Sequence, residues 1–207
     1  MKICFTLDDV IRAKTQQLGK TYKQFVNPNI DLNSLEFPTN DYAEIFGFDG
    51  KSEYNNFLYN QYAYEIFAKA PVTEKMIDKG LNLWLLKLPE IAEDYEGENP
   101  THIDTMIANP MEFNASIGYT CFFLSKMATR IREFYFPLDS LTIWDKCDVL
   151  ITADPKLLEN KPKGKISIKI ETSYNKDLLS DYTYDSLQSF IDDENIVKNL
   201  IEKCNGN

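Results

Sequence analysis

The sequence predicts an α/β fold, a Rossmann-like parallel sheet core with an inserted helical cap. Three observations carry this prediction. Short apolar runs of strand length alternate with segments of helical periodicity, the pattern of strands joined by covered crossovers. The runs that would form the sheet end in polar turns, Thr6–Asp9, Ala108–Pro110 and Thr152–Pro155. The long stretch 15–80 reads as mostly helical and interrupts the alternation directly after the first run.

Taken in order, Lys2–Phe5 reads as a short buried strand ending at Thr6-Leu7-Asp8-Asp9. Val10 to about Phe25 is mixed and basic, and Asn27-Pro28-Asn29 and Phe37-Pro38-Thr39-Asn40 mark a loop. Asp41–Phe46 predicts a short helix closed by Gly47, since glycine suits the left-handed residue after a helix. Ser52 is placed to cap a longer helix to about Lys69, with Tyr54, Phe57, Leu58, Tyr62, Ile66 and Phe67 at helical spacing. Thr73 and Glu74 open a further helix through Leu81, Trp84 and Leu88, expected to stop near Pro89. Ile103–Ala108 predicts a strand, Asn109-Pro110 a helix start, and Met111–Met127 an apolar helix. Arg130–Phe136, Cys147–Ile151 and Lys165–Ile170 predict three more strands, with a short helix at Lys156–Glu159. Ser186–Lys203 has the apolar spacing of one amphipathic helix. The division that follows is a core of 1–14 and 81–207 and a cap of 15–80.

Composition narrows the functional classes. The 207 residues carry 32 acids against 22 bases, a net charge of −10. Such a surface repels phosphate backbones and anionic lipid, so neither nucleic acid nor a membrane is the expected partner. No apolar run approaches the ~20 residues that span a bilayer, and Met1–Phe5 does not read as a secretory signal. A cytoplasmic location is expected. The four cysteines are scattered and the single histidine, His102, precedes a strand, which disfavours zinc sites, disulfide frameworks and histidine-based catalysis. Any chemistry would have to run on carboxylates. The tyrosines and amides from Ser52 to Tyr64 fit packing of the cap first and an interface second. The bias toward Asn, Lys, Ile and Tyr suits an AT-rich genome, as in some bacteria and phages.

Phe5-Thr6-Leu7-Asp8-Asp9-Val10 resembles the first motif of the haloacid dehalogenase (HAD) superfamily, an apolar strand followed by Asp-x-Asp-x-(Thr or Val). Asp148-Val149-Leu150-Ile151-Thr152-Ala153-Asp154-Pro155 is similar to its last motif, a strand ending in two adjacent acids. With the helical insertion after the first motif, the arrangement most resembles the 5′-nucleotidase and deoxyribonucleotidase branch. The resemblance implies a crevice at the strand ends, a magnesium ion, and phosphoryl transfer through an aspartyl-phosphate.

The departures from the pattern shape the functional expectation. The nucleophile position holds Thr6, and the general-acid position keeps Asp8. A hydroxyl without an adjacent base is a poor nucleophile. The second motif's hydroxyl is missing at Met106-Ile107-Ala108-Asn109 unless Asn109 substitutes. Aligning Phe122–Ser125 instead would put that motif inside a helical pattern. The last motif's acids fall on Thr152-Ala153, with Asp154 one residue late. The residue that balances phosphate is assigned to Lys146, or less favourably Lys126. Losing nucleophile, hydroxyl and metal acids together implies a disused active site, because phosphoryl transfer depends on positioned charge. The expectation is a non-catalytic HAD-like protein that binds a protein partner, a second copy or a small phosphorylated ligand, in a larger assembly such as a virion if phage-encoded. The alternative is a residual phosphatase on nucleoside monophosphates, with Asp8 as acid, Asp8 and Asp154 on Mg2+, and Thr6 as replacement nucleophile; without activity no cofactor is expected.

Overall fold

The computed structural model describes residues 1–35, 37, 39, 41–73, 80–96, 102–110 and 114–205. Six parallel strands, β1 (Lys2–Thr6), β2 (Asp104–Ala108), β3 (Glu133–Tyr135), β4 (Val149–Thr152), β5 (Ile166–Ile170) and β6 (Tyr182–Tyr184), lie in the order β3-β2-β1-β4-β5-β6. The fold is therefore Rossmann-like α/β. β1 sits at the centre because its side chains are apolar on both faces. Ile3 and Phe5 pack on one side with Trp84 and Phe190, while Cys4 packs on the other with Trp144 and Leu157. Burial on both faces is what continuous apolar strands of a parallel sheet require.

On the first face lie α4 (Leu81–Glu96), α7 (Leu187–Ile191) and α8 (Ile196–Asn205). On the second, the 3-10 turn Ser140–Lys146 meets α6 (Pro155–Glu159), where the Trp144 indole donates to Leu157 O at 3.1 Å. α5 (Asn114–Met127) contributes Phe123 and Met127 to the first cluster and also packs against the cap. Among the described residues no helix is long and apolar enough to cross a membrane.

The chain between β1 and α4 forms α1 (Lys14–Phe25), α2 (Tyr42–Ile45), α3 (Lys51–Asn55) and two π-helical segments, Asn56–Gln61 and Tyr64–Ala68. They enclose a separate apolar cluster centred on Tyr22, Phe46, Phe57 and Phe67. The Tyr22 hydroxyl donates to Phe46 O at 2.7 Å, so its polar end is satisfied within the cluster. The two crossings between core and cap run side by side: Thr73 N donates to Ile11 O at 2.8 Å and Ala13 N to Pro71 O at 2.9 Å.

The elements depart from expectation at four places. The helix expected from Ser52 starts at Lys51 after Gly50, without a side-chain cap, and widens into the π segments. α4 runs through Pro89 instead of stopping there; Trp84, Leu88 and Ala92 bury the same face on both sides of the proline, and that packing outweighs the lost backbone bond. The tail forms two helices, because Asp193 accepts from the Asn195 and Ile196 backbones and restarts the chain at Ile196. β6 was not anticipated; its Tyr-Thr-Tyr is short and lies at the sheet edge. The expected opening of α4 at Glu74 and of α5 at Met111 lies outside the described residues.

Candidate functional site

The strand order reverses direction at β1, since β2 and β3 extend to one side and β4 to β6 to the other. In open α/β sheets such a point, at the carboxyl ends of the strands, forms a crevice. Register brings the motif residues together there: Thr6 pairs with Ala108, and Phe5 with Ile151, which sets Thr6 beside Thr152. Between these ends and the cap lies a cavity of about 520 Å³, reached by Thr6, Asp8, Asn109 and Asp154 from the strand ends, by Lys14 at the start of α1, and by Tyr42, Tyr54 and Tyr59 from the cap.

At its floor the Thr6 hydroxyl donates to Thr152 Oγ1 at 3.1 Å, and Thr152 Oγ1 also accepts from Asp154 N at 3.0 Å. Both threonines are buried. The two positions that would carry the nucleophile and a metal acid therefore hold neutral hydroxyls bonded to each other.

Asp8 is the charged centre. Its Oδ1 accepts from Arg12 Nε at 2.8 Å and Nη2 at 2.5 Å, and its Oδ2 lies 3.2 Å from Lys14 Nζ. Asn109 grips the same residue twice, accepting from Asp8 N at 3.2 Å and donating to Oδ2 at 3.3 Å. Burial pushes the Asp8 carboxyl up, but the Arg12 and Lys14 charges outweigh it and hold the group at about 2. Burial pulls the Lys14 ammonium down, and the facing Asp8 more than reverses that, so the ammonium stays charged.

Arg12 has no exposed surface. Its Nη1 donates to Thr120 Oγ1 at 2.9 Å and to Phe67 O at 3.3 Å, and its guanidinium lies 5.1 Å from the Phe67 ring centre and 5.5 Å from that of Phe123. Asp9 follows with φ 57°, the left-handed region where a glycine would be unstrained. Its carboxylate accepts from Thr15 N at 2.9 Å and from the Tyr174 hydroxyl at 2.9 Å, and Thr15 also meets the Tyr42 hydroxyl at 2.6 Å. Burial raises the Asp9 carboxyl against these bonds.

Of the residues expected from sequence, Thr6, Asp8, Asn109 and Asp154 share the cavity. Asp154 caps α6 by accepting from Lys156 N at 2.8 Å. Asn109 is turned onto Asp8 instead of being free for a phosphate. Lys146 is absent from the cavity lining; it is exposed, with its ammonium 5.8 Å from the Tyr135 ring centre. Lys126 donates to Ala68 O at 3.2 Å. Lys14, Lys51 and Lys156 are the cations that line the cavity, and Lys14, which sequence reading passed over together with Arg12, is the lysine that meets Asp8. A signal for it exists. Lys14 opens α1, and a cation is disfavoured at a helix N-terminus unless a carboxylate lies close.

The resemblance implies a magnesium ion at these strand ends. Magnesium requires near-octahedral oxygen donors at about 2.0–2.1 Å, including one or two free carboxylates. Both Asp8 oxygens face cations, one Asp154 oxygen is engaged at the α6 cap, and Thr6 and Thr152 are neutral. Among the described residues no group of three or more His, Cys, Asp or Glu side chains is placed to hold a metal ion. The donor set does not fit the ion.

No family model matches the chain, and neither does any curated protein. Among solved structures, the chain is similar to a provisionally assigned haloacid dehalogenase-like hydrolase of Burkholderia xenovorans LB400. The TM-score is 0.52 at 10% identity, over 95% of this chain and 97% of that one. The likeness defines a HAD-like fold.

Proposed function

We propose that this protein is a non-catalytic member of the HAD-like fold that acts by binding in the crevice between core and cap, with a small phosphorylated compound as its ligand. One observation carries the reading: Thr6 and Thr152 hydrogen-bond each other at 3.1 Å where a nucleophile and a metal acid would face. The retained acid supports it too. A general acid must hold a proton near neutral pH, and Asp8, at about 2 between Arg12 and Lys14, is a carboxylate there. The ligand class is supported by the mix of the lining, where Lys51 and Lys156 offer cations beyond the Asp8-paired Lys14 and Tyr54 and Tyr59 offer aromatic surface. Tyr64 and Phe122, with ring centres 6.2 Å apart and each more than two-fifths exposed, give the junction of the cap and α5 an aromatic surface suited to a protein partner in a larger assembly.

Incubation with Mg2+ and a panel of nucleoside monophosphates and phosphosugars tests the reading. No phosphate release is expected, alongside saturable binding of at least one compound by calorimetry. Turnover that Asp8→Asn abolishes would refute it in favour of a residual phosphatase.

A further inference from the structure

Lys14 is the least expected side chain in the crevice. It starts α1, where the unpaired backbone N–H groups already supply positive potential. It nevertheless turns back toward the strand ends with only 19% of its side chain exposed, and its ammonium meets Asp8 Oδ2 at 3.2 Å. Asp9 and Asp154 line the same cavity. One ammonium thus stands on the first motif's carboxylate in a crevice that the last motif's Asp154 also lines.

We infer that Lys14 takes the place on the strand-end carboxylate Asp8 that a divalent cation would otherwise hold, with Arg12 supplying the second positive charge, so that the crevice is complete without metal. The charge count agrees: guanidinium plus ammonium carry the two positive charges of a divalent ion, placed on opposite oxygens of Asp8. The geometry differs in a way that matters. An ammonium donates three hydrogen bonds at ordinary N···O lengths and keeps no coordination site for water. A magnesium ion would bring its own waters and a shorter, octahedral contact. The tethered cation therefore neutralises the strand ends but activates no nucleophile. The inference builds on the non-catalytic reading of the crevice and says what replaced the chemistry.

The test is a titration of the full chain with Mn2+, read as loss of the free-ion paramagnetic resonance signal, with melting temperatures in EDTA and in Mg2+ alongside. Wild type is expected to take up no Mn2+ at about millimolar ion, which is weaker than the weakest dedicated protein sites, and to melt identically in EDTA and Mg2+. Lys14→Ala is expected to bind Mn2+ at least about tenfold more tightly than wild type, and to regain part of its lost melting temperature in Mg2+. Lys14→Arg is expected to behave as wild type, and Lys14→Ala with Asp8→Asn to lose the gained uptake. Lys14→Gln carries the same comparison if the alanine variant does not fold. Mn2+ uptake by wild type, or no gain in either neutral variant, overturns the inference. Phosphate release bears on the non-catalytic reading alone, and Mn2+ uptake on this one, so the two fail separately.

Discussion

Replacing Arg12 by Met removes the guanidinium and leaves a side chain of similar length against Phe67 and Phe123. What is lost is specific: two hydrogen bonds to Asp8 Oδ1, one to Thr120 and one to the cap carbonyl of Phe67. What remains is a carboxylate, 22% exposed, with the charge of Lys14 and the amide of Asn109 on its Oδ2. Removing one partner of a buried pair costs about 3–5 kcal/mol, because the other charge stays desolvated. Lys14 still faces Asp8, so the expected loss is the lower bound, about 3 kcal/mol. With a urea slope of about 2 kcal/mol/M, the unfolding midpoint should fall by about 1.5 M. Circular dichroism during urea titration measures it. Arg12→Met combined with Asp8→Asn removes the orphaned charge and should recover about 1–2 kcal/mol, a coupling typical of contacting residues. A loss below about 1 kcal/mol, or two changes that simply add, would refute the view that Arg12 and Asp8 act as one buried unit.

The acid response of the fold should carry the mark of Asp8. Its folded pKa of about 2 lies below the unfolded value of about 3.9, so its contribution is complete above pH 4 and is lost as pH falls toward 2. Urea midpoints across that window should drop less steeply in Asp8→Asn than in wild type, and equal slopes would contradict this. Lys146→Ala should change stability by no more than about 0.5 kcal/mol and leave ligand binding intact, since the side chain is exposed away from the cavity; impaired binding by calorimetry would restore it to the site. Pro89→Ala should raise stability by about 1–3 kcal/mol, because α4 already runs through that position, and an unchanged melting temperature would mean the helix has no bond to regain. Thr6→Val should cost about 1 kcal/mol, one net hydrogen bond, in thermal melts; a cost below a few tenths would show that the Thr6–Thr152 contact adds nothing.

What could be read from the residues was decided by the range of the interactions involved. β1 and β4 are apolar runs buried on both faces and β5 alternates isoleucine with Ser167 and Lys169, local patterns that made these strands and their polar ends legible. The convergence of Thr6, Asp8, Asn109 and Asp154 followed from those ends and from parallel order. Lys14 was legible only as a cation out of place at a helix start, and not as a neighbour of Asp8. Lysine is ordinarily solvated, and only the turn of the chain after Asp9 brings this one back over Asp8. Lys146 erred the other way. It adjoins β4 in sequence, but the 3-10 turn that carries it directs it onto Tyr135. β6 and the break before α8 depend on edge pairing and on the Asp193 turn, neither of which leaves an apolar period to detect.

The paired crossings between core and cap have a mechanical consequence. A hinge made of two unconnected linkers lets a cap gape freely. Here the strands of the hinge are stitched to each other by Thr73 to Ile11 and Ala13 to Pro71. Thr73 Oγ1 adds a third stitch to Val10 O at 2.7 Å. Arg12, between them, bonds to Phe67 O at the far end of the insertion. Such a ribbon resists bending across its hydrogen bonds and yields most easily by twisting about its length. Under the binding function proposed above, ligand exchange would proceed by cap rotation and side-chain movement at the rim, with the depth of the crevice little changed.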